Sequence, residues 1–309
     1  MSEYQYYEFL AIDRPIDRAG QDALRSISSR ARITATSFTN HYEWGDFKGD
    51  PRRLVEQWFD LHLYLANWGD RRLMMRLPAR LLDIEKLSKF LTEVDWVEVW
   101  APGESLIIDI APELEAREYL DEDGSGWLAR LAPLRADVLS GDLRMFYLLW
   151  LMAVEYQLVA DDELEPLPGV GPLTDPLEAF ADFFNLDADL LAAAAALDGA
   201  SADTSDNEVR EILAAISSDE MTELLLRVID GDPHVAAELR YKARDSRTTS
   251  TRRRTVGELR VRAGEIAQVR QQAELERLEA ERLRRTKEAE AARDARLKVL
   301  RQRGGGRLA

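Results

Sequence analysis

A long segment without proline is the feature that most restricts the fold of this chain. Residues 255–301 contain no proline, and their last glycine is Gly264. The segment consists mostly of Glu, Arg, Ala, Leu and Gln, which all have high helix propensity. We therefore predict one long charged helix, about 70 Å long at a rise of ~1.5 Å per residue, followed by a disordered tail at 302–309.

The heptad pattern of this helix is regular only at its start. Val256, Leu259, Ala263 and Ile266 follow the 3-4-3 spacing of a coiled-coil seam, whereas charged residues such as Arg270 occupy the seam further on. Because a stable coiled coil requires three or four unbroken heptads, the sequence predicts only a weak coiled coil.

The same segment is opposite in charge to the rest of the protein. The 309-residue chain contains 41 Lys and Arg against 57 Asp and Glu, which gives a net charge of −16. Residues 240–309 contain 21 basic and 10 acidic residues, which leaves 20 basic and 47 acidic residues in the first 239. The sequence therefore predicts an acidic globular body that carries a basic arm.

The first part of the chain alternates between strand and helix patterns. We predict that residues 1–115 form a mixed domain of the α+β class, an α/β-type sandwich with helices covering a sheet. In this interpretation one helix extends from its cap at Asp50 to its exit at Gly69. Leu61 and His62 then lie on its apolar face, and His62 is interpreted as a hydrogen-bonded core histidine.

Helical patterns dominate after an acidic loop at 113–126. Residues 126–240 are predicted to form an all-helical domain, and residues 241–254 a polar and basic hinge that leads into the long charged helix. The most apolar run in the chain, Met145–Val154, has about half of the roughly 20 residues that a membrane crossing requires. We predict that it forms a buried helix.

Composition excludes several classes of site. The absence of cysteine excludes disulfides, thiolate zinc sites, iron–sulfur clusters and cysteine nucleophiles. The first fifteen residues lack the basic region and apolar core of a secretory signal. We expect a cytoplasmic protein that makes no membrane contact.

No catalytic, metal or nucleotide-binding pattern is present. The three histidines do not have the spacing of a metal site, and Ser125 lacks the preceding strand of a nucleophile elbow. The acidic residues between 161 and 165 are interpreted as a solvated surface. We predict no catalytic residue, no metal and no cofactor, and the sequence leans against an enzyme while leaving the question open.

One stretch has the composition of a recognition surface. Residues 30–48 mix Arg, Lys, Asn, His and Trp with hydroxyl side chains, a combination typical of sites that bind small molecules or peptides. The alternative is a polar edge strand with aromatic residues packed beneath it. The turn at 67–72 is the second part of the predicted pocket. The predicted binding residues are Arg30, Arg32, Asn40, His41, Trp44, Lys48, Asn67, Arg71 and Arg72.

The basic arm has three interpretations. It docks on another protein, on a second copy or on the acidic body of its own chain; it neutralises nucleic-acid phosphates; or it is a solvated helix. Acidic residues interleaved with the basic ones, and the scarcity of aromatic residues, favour a protein partner over nucleic acid. The candidate contact residues are Arg252, Arg253, Arg254, Arg260 and Arg262.

These observations favour a non-catalytic interaction or scaffold protein, with an acidic head and a basic helical arm that docks on a partner or self-associates. The first alternative is a small-molecule sensor or enzyme with a pocket near residues 30–48 and 67–72. The second is a nucleic-acid-associated protein that uses the arm.

Several stretches resemble a widespread family of uncharacterised bacterial proteins. They are YYEFLAIDRP, HYEWGDFKGDP and LYLANWGDRRLMMRLP, and the resemblance extends over most of residues 4–195. It implies a bacterial cytosolic origin, and it brings no known activity, ligand or catalytic residue.

Overall fold

The computed structural model describes residues 3–92, 94–112, 123–195, 206–245 and 252–304. These residues form a seven-stranded antiparallel sheet, a set of helices that pack against it, and one long helix at the end. The predicted mixed α+β class is therefore confirmed.

The sheet is assembled from the first third of the chain, and its strands follow the order β2-β3-β1-β4-β5-β7-β6. The strands are β1 (Gln5–Leu10), β2 (Arg32–Ile33), β3 (Ser37–Tyr42), β4 (Leu61–Ala66), β5 (Arg71–Pro78), β6 (Val97–Trp100) and β7 (Ser105–Ile110).

Twelve helices are present in the described residues, besides a 3-10 turn at Ala79–Leu81. They are α1 (Arg18–Ile27), α2 (Pro51–Gln57), α3 (Ile84–Ser88), α4 (Trp127–Leu131), α5 (Pro133–Leu139), α6 (Arg144–Glu155), α7 (Asp175–Phe183), α8 (Ala188–Ala195), α9 (Asp206–Ala215), α10 (Ser218–Ile229), α11 (Val235–Asp245) and α12 (Val256–Gly304).

A hydrophobic cluster covers each face of the sheet. Successive side chains of a strand point to opposite faces, so one strand contributes to both clusters. On β5, Leu73, Met75 and Leu77 join one hydrophobic cluster, whereas Met74 joins the other. The smaller cluster is covered by α1 and α2, and the larger one by α4 to α8 and the start of α12. Strands of the first predicted domain and helices of the second thus share one cluster, and the division into domains stays a prediction.

The helix predicted from Asp50 to Gly69 is wrong in its second half. Asp50 does cap α2, since its carboxylate accepts a hydrogen bond from the backbone N–H of Arg52 at 3.0 Å, but α2 ends at Gln57. The chain then enters β4, which pairs with β1 on one side and β5 on the other. Pairing with β1 and β5 provides hydrogen-bond partners for the backbone N–H and C=O groups on both edges of β4. This tertiary pairing outweighs the helical spacing of its leucines.

His62 is fully buried, as a core histidine should be, but it lies on strand β4 and not on a helix. Its Nδ1 lies 3.1 Å from the carbonyl oxygen of Glu8, and its ring stacks on Phe9 with the ring centroids 4.0 Å apart. Burial lowers the pKa of His62 to about 3, so the imidazole is neutral in the folded protein.

The apolar run Met145–Val154 lies within α6 and is buried over its whole length, as predicted. None of the described helices combines the length and the apolarity that a membrane crossing requires.

The long charged helix is confirmed as α12, although two predicted boundaries near it are wrong. Helix α12 includes residues 302–304, which the sequence assigns to a disordered tail, and residues 305–309 lie outside the described part. Helix α11 continues to Asp245, so the predicted hinge cannot begin at 241; residues 246–251 of that hinge are not described.

A buried network of charged groups joins the sheet to the helices. Asp60 is fully buried and accepts a hydrogen bond from Arg76 at 2.8 Å. Arg135 of α5 donates to both carboxylate oxygens of Asp13, at 2.9 and 2.6 Å, and the Nε2 of His234 lies 3.0 Å from the second of them. Pairing of this kind compensates charges that burial would otherwise make costly.

Candidate functional site

The root of the arm is fixed to the body by one buried ion pair. Glu165 has no exposed surface, and its carboxylate accepts hydrogen bonds from Nε and Nη2 of Arg254 at 3.1 and 2.9 Å. The hydroxyl of Tyr147 donates to the same carboxylate at 2.7 Å. Arg254 also donates to the carbonyl oxygens of Ala193 and Ala194, at 2.6 and 3.0 Å, and so ties the root to the end of α8.

Glu165 therefore does not belong to the solvated acidic surface that the sequence predicts for residues 161–165. No local pattern distinguishes it from its acidic neighbours, because its burial is produced by Arg254, which lies 89 positions away. The other acidic residues of that stretch, Asp161, Asp162 and Glu163, are exposed.

Helix α12 begins with a capping box immediately after this ion pair. The backbone N–H of Glu258 donates to the Oγ1 of Thr255 at 3.2 Å, and the N–H of Thr255 donates to the Glu258 carboxylate at 3.0 Å. Val256 and Leu259 follow on the inner face and are fully buried in the larger hydrophobic cluster. The first turns of the arm are therefore part of the folded body.

Two further arginines hold the next turns of α12 against acidic groups of the body. Arg260 bonds to Asp161 and donates to the carbonyl oxygen of Val154 at 3.0 Å. Arg270 donates to both carboxylate oxygens of Asp189, at 3.0 and 2.8 Å, and these hydrogen bonds lower the pKa of Asp189. Opposite charge thus joins the arm to its own body as far as residue 270.

Beyond this point the described side chains of α12 are exposed, except for the half-buried Glu281. We call residues 271–304 the distal arm; at ~1.5 Å per residue it is about 50 Å long. Leu275, Leu278 and Leu283 expose roughly half of their surface to solvent on this segment. Ion pairs within the helix, such as Arg285 with Glu281 at 2.6 Å, stabilise it by a few tenths of a kcal/mol each.

Of the five predicted arm arginines, two bind the body and three do not. Arg254 and Arg260 bind the body. Arg252 pairs with Glu258 at 2.7 Å, Arg262 pairs with Glu265 at 2.7 Å, and Arg253 is exposed. The nucleic-acid interpretation stays a prediction, and it depends on these last three residues.

The structure also forms a cleft in the predicted recognition stretch. It has a volume of about 640 Å³ and lies between the end of α1, the end of β3 and the loop that follows β3. Its lining residues include five of the predicted binding residues, namely Arg30, Asn40, His41, Trp44 and Lys48.

The base of the cleft contains a buried, hydrogen-bonded side chain, whereas its rim is open to solvent. Asn40 is buried and donates from Nδ2 to the hydroxyl of Ser28 at 2.9 Å. The ring of His41 stacks on Tyr4 with a centroid separation of 6.1 Å. Trp44 is 83% exposed, an unusual position for so large an apolar ring. The cleft therefore offers an aromatic surface and charged groups to a solute.

The remaining four predicted binding residues do not line the cleft. Arg32 is exposed on β2. Asn67 accepts a hydrogen bond from the backbone N–H of Tyr4 at 3.0 Å. Arg71 and Arg72 support the fold, as the contacts of their guanidinium groups show.

Arg71 bonds to the carbonyl oxygen of Phe183 and donates to that of Asp182 at 3.2 Å, so it connects β5 to the end of α7. Arg72 holds both carboxylate oxygens of Asp109 on β7, at 2.7 and 2.5 Å. Both arginines therefore stabilise the sheet and its packing.

In the described residues no group of three or more His, Asp or Glu side chains is arranged to hold a metal ion. Comparison with protein-family models, curated proteins and solved structures found no match. The resemblance noted from the sequence stays a prediction, and the function must be inferred from the geometry of the arm and the cleft.

Proposed function

We propose that this chain is a non-catalytic interaction protein, in which the acidic body presents the distal arm of α12 to another protein chain. One observation carries the proposal: the root of α12 is built into the core, whereas the distal arm, about 50 Å long, exposes Leu275, Leu278 and Leu283 to solvent.

The root determines how the arm is presented. Val256 and Leu259 are buried, and Arg254 bonds to Glu165 on one side and to two backbone carbonyls of α8 on the other. A helix held in this way leaves the body in a fixed direction. A docking segment that is ordered before binding loses less conformational entropy on association than a disordered one.

Photo-crosslinking in the source cells tests the proposal. A photoreactive phenylalanine analogue replaces Leu278 on the distal arm, or Ile12 on the body as the control; both side chains are 49% exposed. We expect adducts with another protein chain from position 278 and none from position 12. Mass spectrometry of the adduct then identifies the chain.

The absence of adducts from position 278, with the folded protein present at its normal level, would contradict an interaction through the distal arm. Equal adduct formation from Ile12 would show that the crosslinks are nonspecific.

A second candidate function is small-molecule recognition in the cleft, favoured by the exposed ring of Trp44 beside Arg30 and Lys48. A thermal-shift screen against metabolites tests it, since a ligand at 100 times its Kd stabilises the folded state by about 2.7 kcal/mol. The stabilisation should disappear in Trp44→Ala and remain in Trp68→Ala, which changes a tryptophan outside the cleft. A screen in which no compound shifts the Tm would remove the support for this candidate.

A further inference from the structure

Helix α10 presents an apolar face to solvent. Leu224 packs inward, whereas Leu225, Leu226, Val228 and Ile229 are exposed, and Ile229 is 78% exposed. Four large aliphatic side chains within five residues form a contiguous patch. Such patches on soluble proteins mark sites of interaction.

One edge of this face is acidic. Successive helical residues are rotated by about 100°, which places Asp219, Glu223 and Asp230 together along the side next to Leu226. All three residues are exposed. The α10 face therefore fits a partner that combines leucines with positive charge.

The distal arm has this combination. Leu275 and Leu278 are exposed, and the positions one heptad further along are occupied by Arg282 and Arg285. The four residues lie on one side of the helix, since residues seven apart are nearly eclipsed. The arm therefore carries an apolar stretch followed by a basic one.

Pairing of two distal arms with each other is disfavoured by the same pattern. In a parallel, in-register pair, Arg282 and Arg285 would occupy the seam and face the identical arginines of the second helix. Seam positions favour apolar residues, and like charges brought together there repel. An acidic, apolar helix is a better partner.

The α10 face of the same chain does not satisfy the distal arm. Helix α12 is unbroken from Val256 to Gly304, and Leu275, Leu278 and Leu283 remain exposed. A second copy can supply the partner. The lengths also agree: the twelve residues of α10 span ~18 Å, and the segment from Leu275 to Arg285 spans ~15 Å.

We propose that the distal arm of one copy packs along the exposed face of α10 in a second copy. The leucines of the two helices meet, and, with the helices antiparallel, Arg282 and Arg285 lie against Asp219 and Glu223 of the acidic edge. This inference rests on the proposed function and identifies the surface that receives the arm. Because the contact joins two different surfaces, reciprocal docking closes a dimer and one-way docking produces a longer chain of copies.

Two variants of the full chain test this contact by complementation. The arm variant carries Leu275→Glu and Leu278→Glu, and the face variant carries Leu225→Glu and Ile229→Glu. All four side chains are exposed, so both variants should fold, and circular dichroism with thermal unfolding checks this. Sedimentation velocity over a concentration series then measures association.

We expect the unaltered chain to associate, and each variant alone to associate at least roughly tenfold more weakly. The arm variant brings new carboxylates next to the acidic edge of α10, and the face variant replaces apolar contacts with Leu275 and Leu278 by carboxylates that lose water on association. An equal mixture of the two variants should associate again, because it retains one intact arm and one intact α10 face. Salt should weaken the contact, since opposite charges flank it.

Three results would overturn the inference: a face variant that associates like the unaltered chain, a mixture that stays monomeric, or an unaltered chain that is monomeric at every concentration. In each case the proposed function is judged separately, because crosslinks from position 278 to a different protein would still support it.

Discussion

Replacing Arg254 by methionine tests whether the arm is built into the fold. The substitution keeps a long apolar stem but removes both guanidinium hydrogen bonds to Glu165 and both to the carbonyls of α8. The Glu165 carboxylate then remains buried, with hydrogen bonds only from the Tyr147 hydroxyl and from the backbone N–H of residue 254.

The expected cost follows from the burial of Glu165, which has no exposed surface. Removing one partner of a buried ion pair costs about 3–5 kcal/mol, because the other charge is left uncompensated. A loss of ~3 kcal/mol corresponds to a decrease in Tm of roughly 6–12 °C. Urea denaturation followed by circular dichroism measures the free energy of unfolding directly.

The matched control is Arg277→Met on the distal arm, where the ion pair with Glu274 is exposed and lies outside the proposed contact between copies. That change should cost less than ~1 kcal/mol. The double variant Arg254→Met with Glu165→Met should recover much of the lost stability, because no buried charge remains. A cost for Arg254→Met no larger than the control, with additive effects in the double variant, would refute the buried ion pair as the anchor of the arm.

Leu259→Ala removes a fully buried side chain of the arm root and should cost ~2–5 kcal/mol in urea denaturation, whereas Val261→Ala, at a position 66% exposed, should cost less than ~0.5 kcal/mol; equal costs would contradict the docked root. Burial opposes ionisation of Asp13, but hydrogen bonds from an imidazole and a guanidinium outweigh it and lower its pKa from 3.8 to about 2. Its contribution to stability should be present above pH 3.8 and lost as the pH falls through 2, so acid titration of unfolding should show a smaller decline in Asp13→Asn. Burial lowers the pKa of His62 from 6.5 to about 3, so stability should decline as the pH falls from 6.5 towards 3, and a decline of the same size in His62→Phe would show that the imidazole is not neutral in the fold.

The sequence was sufficient to predict elements whose pattern is set by residues close together in the chain. The helix from Val256 depends on residues with high helix propensity and on ion pairs three or four positions apart, so composition and spacing predict it. The buried helix at Met145–Val154 is predicted because its apolar run is long and unambiguous.

Part of the candidate site was also predictable. Five of the residues chosen for their chemistry line one cleft, because the stretch at 30–48 is short enough that a loop and two element ends bring them together. Arg71 and Arg72 have the same chemistry, but their partners lie on α7 and β7. Their structural role therefore could not be inferred from neighbouring residues.

The sequence by itself determined that an acidic body carries a basic helix, because charge and helix propensity are properties of the residues themselves. The tertiary structure decided which charged side chains remain exposed and able to contact a partner. It placed Arg254 against the buried carboxylate of Glu165 and left Arg253 in solvent, although the two arginines are adjacent and chemically identical. It also converted residues 61–66 from a predicted helix into a central strand. In each case the deciding partner is distant in the chain, and contacts of that kind form only when the whole core assembles.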